Sequence, residues 1–146
     1  MASFNFKLQK LLDIRLDKEE ESKRAFKIAQ EEKLSVENKL NTMVDNYKKF
    51  TSILTEGSVV EQKIRQHYLN ALSFSINDLT SELEQKEKKL EEKRLELKQK
   101  QVERKTVEVL KEKQLLQFNK EQADIEQRNN DEFALYAYIR ANHEVL

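Results

Sequence analysis

The stretch LNALSFSINDLTSELEQKEKKLEEKRLEL, residues 69–97, places apolar side chains at Leu69, Leu72, Ile76, Leu79, Leu83, Leu90 and Leu97. The steps are threes, fours and sevens, and a side chain repeated at that period returns to one face of an α-helix. Only Lys86 and Lys93 interrupt the row. A stripe this narrow is the seam of a coiled coil, not the broad face of a globular helix. It cannot face water stably, so the fold turns on what covers it.

Upstream, a matching seam is present. Leu8, Leu12, Arg15, Glu19, Ser22, Phe26, Ala29, Lys33, Val36, Leu40, Met43, Tyr47, Phe50 and Leu54 keep the three-four alternation even where residues are polar. This predicts a first helix over about 4–55, roughly 75 Å long at 1.5 Å per residue. The single glycine, Gly57, follows at once, with Ser58 placed to cap a second helix over about 59–142. A tight reversal, a kink or a glycine tolerated in one long rod would each fit this punctuation. The reversal is the expectation, because both flanking segments carry a seam that the other could cover.

The expected fold is therefore all-α: one domain over residues 1–146, two long helices in an antiparallel coiled-coil hairpin, with a turn over 55–59. Folding about Gly57 sets residues whose numbers add to about 115 opposite each other. The acidic Asp17, Glu19, Glu20 and Glu21 then face the basic stretch from Lys93 and Arg94 to Lys98 and Lys100, and Lys33 falls near Glu82. Polar layers of opposite sign meeting one another favour an intramolecular pairing. The second helix is the longer, and its end should overhang. Past Lys111 it still offers Leu115, Leu116, Phe118, Ile125, Phe133, Leu135, Tyr136, Tyr138 and Ile139, an uncovered apolar surface that calls for a partner unless the tail folds back or frays. A separate row at sevens, Leu95, Val102, Val109, Leu116 and Ala123, reads as a drift of the seam onto a rotated face.

Composition agrees with long, solvated helices. Of 146 residues, 38% are hydrophobic and 37% charged, against the usual 45–50% and roughly a quarter, and there is one glycine and no proline. With 27 residues of each charge sign, no general attraction to nucleic acid or anionic lipid is expected. The absence of cysteine excludes disulfides and thiolate metal sites and fits a reducing compartment. The start Met1-Ala2-Ser3-Phe4 lacks a secretory pattern, and no apolar run approaches a membrane span, so a soluble, cytoplasmic chain is expected.

Catalytic chemistry is not expected. His67 and His143 have no second ligand at helical spacing, one glycine excludes phosphate-cradling loops, and carboxylates such as Glu91 and Glu92 stand among lysines on a solvated face. Lys86-Glu87-Lys88-Lys89 and Lys111-Glu112-Lys113 interleave their signs, unlike a nucleic-acid patch. No enzyme activity, cofactor, metal, nucleic acid or small-molecule substrate is expected.

The opening Phe4-Asn5-Phe6-Lys7-Leu8-Gln9-Lys10-Leu11-Leu12-Asp13-Ile14-Arg15 resembles the start of the FliJ family, small coiled-coil proteins of the flagellar type III export apparatus. Tyr68-Leu69, Arg104-Lys105 with Glu108 and Lys111, Glu126-Gln127 and Asp131-Glu132 continue the family's pattern in order over nearly the whole chain. The resemblance implies a two-stranded antiparallel coiled coil similar to the rotor stalk of the F-type ATP synthase. It implies docking by the helical ends into the flagellar export ATPase hexamer, promotion of its assembly, contact with the cytoplasmic domain of the export gate, and traffic with export chaperones. It also implies a cytoplasmic location, peripheral at the inner face of the cell membrane at the flagellar base.

On this resemblance the ATPase contact is expected at Phe4, Phe6, Leu8, Phe118, Asp131, Glu132, Phe133 and Tyr136, with Phe6 and Leu8 equally readable as closing the coil. The gate contact is expected at Met43, Phe50, Tyr68 and Leu72, most of them on or beside the seam, and at Phe74 off it. Two other functions fit the same sequence: a structural coiled coil that homodimerises, and a stand-alone chaperone for export substrates.

Overall fold

The computed structural model describes residues 2–145. Two helices, α1 (Gln9–Ser52) and α2 (Val59–Val145), pack against each other, and the described residues include no strand. They form two compact units: Asp17–Gln101, and the chain up to Leu16 together with Val102 onward.

In the unit Asp17–Gln101, α1 and α2 run antiparallel. Their facing positions are those of the predicted seams: Ala29, Val36, Leu69 and Leu72 are buried, and Phe26, Leu40, Met43, Ile76, Leu79, Leu83, Leu90 and Leu97 are half-buried. Tyr47, expected in the seam, is exposed. Each well-buried aliphatic side chain contributes about 1.5–3 kcal/mol. Lys86 and Lys93 keep their seam positions, half-buried, because long aliphatic stems can lie along an apolar surface while the ammonium reaches water.

The turn carries its own hydrogen bonding. Gly57 has φ +87°, a left-handed conformation that costs a glycine nothing. Ser58 and Glu61 make a capping box: the Glu61 amide donates to Ser58 Oγ at 3.2 Å and the Ser58 amide to Glu61 Oε2 at 3.4 Å. The carbonyls left over at the end of α1 are taken up by side chains of α2. Arg65 donates to the Ile53 carbonyl at 2.8 Å and to the Glu56 carbonyl, and Gln62 donates to those of Thr55 and Gly57 at 3.1 and 3.2 Å.

The pairing is offset by about three from that expected about Gly57. Phe50 faces Tyr68, Ile53 faces Arg65, and Glu32, in place of Lys33, meets the basic side chains of α2. Glu32 lies 3.2 Å from both Lys86 and Lys89. Hydrogen bonds from Lys86 and then Lys89 hold its carboxyl below its ordinary value of 4.5. A carboxylate depressed on folding adds stability that is present above 4.5 and lost as pH falls through the folded value. The expected result is that Glu32→Gln melts below the wild type at neutral pH and that the gap closes under acid, as followed by circular dichroism. A gap that does not change with pH would show that the pair does not contribute in this way. Further along, Lys18, Glu21 and Ser22 share a surface groove with Lys93, Glu96 and Lys100, and Lys18 pairs with Glu21 and Lys93 with Glu96 along their own helices.

In the other unit, the chain departs from the expected helix over 4–55. Residues 2–6 are not helical, and α1 begins only at Gln9, after a turn in which the Gln9 amide donates to the Phe6 carbonyl at 3.1 Å. The non-helical segment carries Phe6 into a small core with Leu12 and Val107, with Phe4 and Leu11 packed against it. Lys111 donates to Gln9 Oε1 at 2.7 Å, and Arg15 to the Glu103 carbonyl at 2.7 Å. Here the seam of α2 does not drift. Arg104, Val107, Lys111 and Phe118 keep the register, and the row Val102, Val109 and Leu116 stands on the opposite side of the helix.

Candidate functional site

Among the described residues no group of three or more His, Cys, Asp or Glu is arranged to hold a metal ion, and no helix is long and apolar enough to cross a membrane. What the molecule offers instead is uncovered apolar surface, and two stretches of it carry residues expected to make contacts.

The first is the C-terminal part of α2. The Phe4 ring lies against Phe118 with centroids 5.6 Å apart and planes tilted by 52°, so the N-terminal segment covers the helix as far as Phe118. The cover therefore reaches beyond Lys111, where the sequence predicts it to end. From Ala123 to Glu144 every residue is exposed. This part carries Asp124, Glu126, Asp131 and Glu132, followed by Phe133-Ala134-Leu135-Tyr136-Ala137-Tyr138-Ile139, which is apolar all round the helix. Phe133 is 73% and Tyr136 61% exposed, and with Asn129 and Glu132 they surround one shallow hollow. A helix that is apolar on every side belongs inside a protein environment.

The expected ATPase-contact residues thus separate by environment. Asp131, Glu132, Phe133 and Tyr136 are free on the surface, and Leu8 is exposed at the start of α1. Phe4 and Phe118 are half-buried on each other, and Phe6 is core, so its first role is to close the coil.

The second surface lies on α2 in the unit Asp17–Gln101. Of the expected gate-contact residues, Leu72 is 8% exposed and serves the seam, and Met43 and Phe50 are half-buried. Tyr68 is exposed at its rim while its ring meets Phe50 edge-on at 4.8 Å. Phe74 is different: 74% exposed, it stands away from α1. It is joined on that face by Val60 and Ile64, also exposed, through His67 and Ala71. Sequence reasoning missed Val60 and Ile64. Their signal was available as a second three-four alternation, Val60, Ile64, His67, Ala71 and Phe74, running behind the seam.

A protein-family model described as the flagellar FliJ protein matches residues 4–143. No curated protein and no solved structure matches the chain. The family match covers the N-terminal segment, both helices and the exposed tail, and on it the chain belongs to the FliJ family, components of the flagellar export apparatus.

Proposed function

We propose that this chain is a non-enzymatic adaptor of the export apparatus that binds the export ATPase hexamer. The contact is made by the tail of α2 together with the exposed Leu8, and it promotes assembly of the ring. The observation that carries this reading is the fully exposed helix from Ala123 to Glu144, with its acidic stretch and its all-round apolar end. Such a segment gains by entering a ring of folded subunits, where both its aromatic and its acidic side chains find partners.

The gate contact in this reading falls on Phe74, Ile64 and Val60, the exposed side chains behind the seam, and not on Leu72. One chain then offers separate faces to an ATPase and to the cytoplasmic domain of the gate, at the inner face of the membrane.

Light scattering on a sizing column tests the first contact. The chain alone is expected as a monomer of 17.4 kDa, and mixed with the export ATPase and nucleotide it is expected to elute with the hexamer. A chain ending at Gln122, which removes the exposed stretch Ala123 to Glu144 and the two residues after it, is expected to stay helical and elute alone. A stable dimer indifferent to the ATPase would support the purely structural coiled coil. Binding of unfolded export substrates by the tail, without the ATPase, would support the stand-alone chaperone.

A further inference from the structure

We propose that the outer face of α2 along Val102, Val109 and Leu116 receives an amphipathic helix of a partner protein, one whose apolar row is flanked by Asp and Glu. These three residues repeat at sevens, one position every two turns, which is the spacing of one of the two rows of a coiled-coil seam. They lie opposite the positions that face the N-terminal part of the chain, Arg104, Val107 and Lys111; Val109 is half-buried, and Val102 and Leu116 are exposed. Val102 is 53% and Leu116 69% exposed, and Val102, Val109 and Leu110 form a continuous apolar groove walled by Lys105 and Lys113.

Charge decides the kind of occupant. Lys105 and Glu112 stand on one flank of the row and Lys113 and Lys120 on the other. Among the described residues none of the three lysines is held in an ion pair, whereas Arg104 nearby is paired with Glu108. In a chain with 27 residues of each sign, three unpaired lysines against the single Glu112 along one apolar row are a local excess. Glutamates at the flanking positions of an incoming helix would pair with them, as such residues do beside a coiled-coil seam. An anionic membrane would also attract lysines, but a helix lying in a lipid interface needs a broad apolar face, and this row is one residue wide without an aromatic.

The surface is separate from the exposed tail, so its test does not depend on the ATPase contact. The probe is a stapled, fluorescent peptide of about 21 residues, three heptads, with Leu and Ile in three-four alternation and Glu on both flanks. Fluorescence anisotropy with the full chain is expected to show saturable binding. The Lys105→Glu, Lys113→Glu, Lys120→Glu variant is expected to bind at least about tenfold more weakly, and to gain affinity for the same peptide with Lys in place of Glu. Val102→Ser with Leu116→Ser is expected to weaken binding by a similar factor. All five positions lie at the surface, and circular dichroism checks that each variant keeps the wild-type helix content.

Equal binding of a scrambled peptide of the same composition would overturn the proposal, as would no binding or indifference to both variants. Binding to phosphatidylserine-rich vesicles through the same residues, without peptide binding, would assign the face to a membrane. Self-association abolished by Val102→Ser with Leu116→Ser would assign it to a second copy. Either of these results overturns the partner helix.

Discussion

Replacing Phe133 and Tyr136 together by alanine is expected to weaken association with the export ATPase by two to three orders of magnitude while the melting curve stays in place. Both side chains stand on the exposed tail, next to each other around one hollow, and neither takes part in either core. Aromatic anchors of this kind cost about 2 kcal/mol or more each when truncated in an interface, and a loss of about 3–4 kcal/mol is a factor of several hundred in Kd. Alanine is also a better helix former than either residue, so the helix itself is not weakened. Isothermal titration against the assembled hexamer reads the affinity and thermal denaturation reads the fold. Undiminished affinity would remove the tail from the contact. Lost affinity with a lowered melting temperature would mean that the tail is packed in the free protein.

Leu69→Glu is expected to abolish cooperative melting of the helical pair near room temperature, whereas Ile64→Glu is expected to leave it nearly unchanged. The two positions are only five residues apart on α2, but Leu69 is buried in the seam and Ile64 stands behind it. At Leu69 the change removes about 1.5–3 kcal/mol of apolar burial and adds the cost of a carboxylate among apolar neighbours. Together these approach the whole stability of a small protein, about 5–15 kcal/mol. At Ile64 the charge meets water and the effect is within about 0.5 kcal/mol. Helix content followed by circular dichroism against temperature separates the pair. Similar curves for both variants would mean that the seam is misplaced.

The seam, the reversal at Gly57 and the overhang of α2 were legible because each rests on local rules: a period of 3.5, a glycine at a helix end, and one helix longer than the other. The capping box was equally open to reading as Ser58-Val59-Val60-Glu61, a serine followed three residues later by glutamate. The N-terminal segment was misread because Phe4, Phe6, Leu8, Leu11 and Leu12 blend two periods. Phe4, Phe6 and Leu8 alternate in the manner of extended chain, and the helical spacing starts only beyond them. The partners that hold this segment out of helix are Val107 and Phe118, about a hundred positions away, which no local pattern announces.

The environments of the expected contact residues were less legible than their types. Phe6 and Leu72 have the character of contact residues, yet each fills a core, because a chain with so thin a seam uses its large apolar side chains to close it. Phe133, Tyr136 and Phe74 remain outside, and only the packing of the rest of the chain separates them from the others. The rotated row from Val102 to Leu116 looked like a wandering seam, because sequence shows that a helix has a second face before it shows which face is occupied.

The hydrogen bonds at the turn have a consequence for the order in which the molecule assembles. Arg65 reaches Ile53 across only 12 positions, whereas Lys111 and Gln9 lie 102 positions apart. Closing a short loop costs less entropy than closing a long one, and each layer added next to an existing pair closes almost no loop at all. Pairing should therefore run like a zip from the turn outward, with the Phe6 core joined last and parted first. Amide exchange would show this as protection that is strongest in the layers following the turn and weakest at Gln9 to Leu12. The end of the chain for which we propose the ATPase contact would then also be the end that opens at least cost.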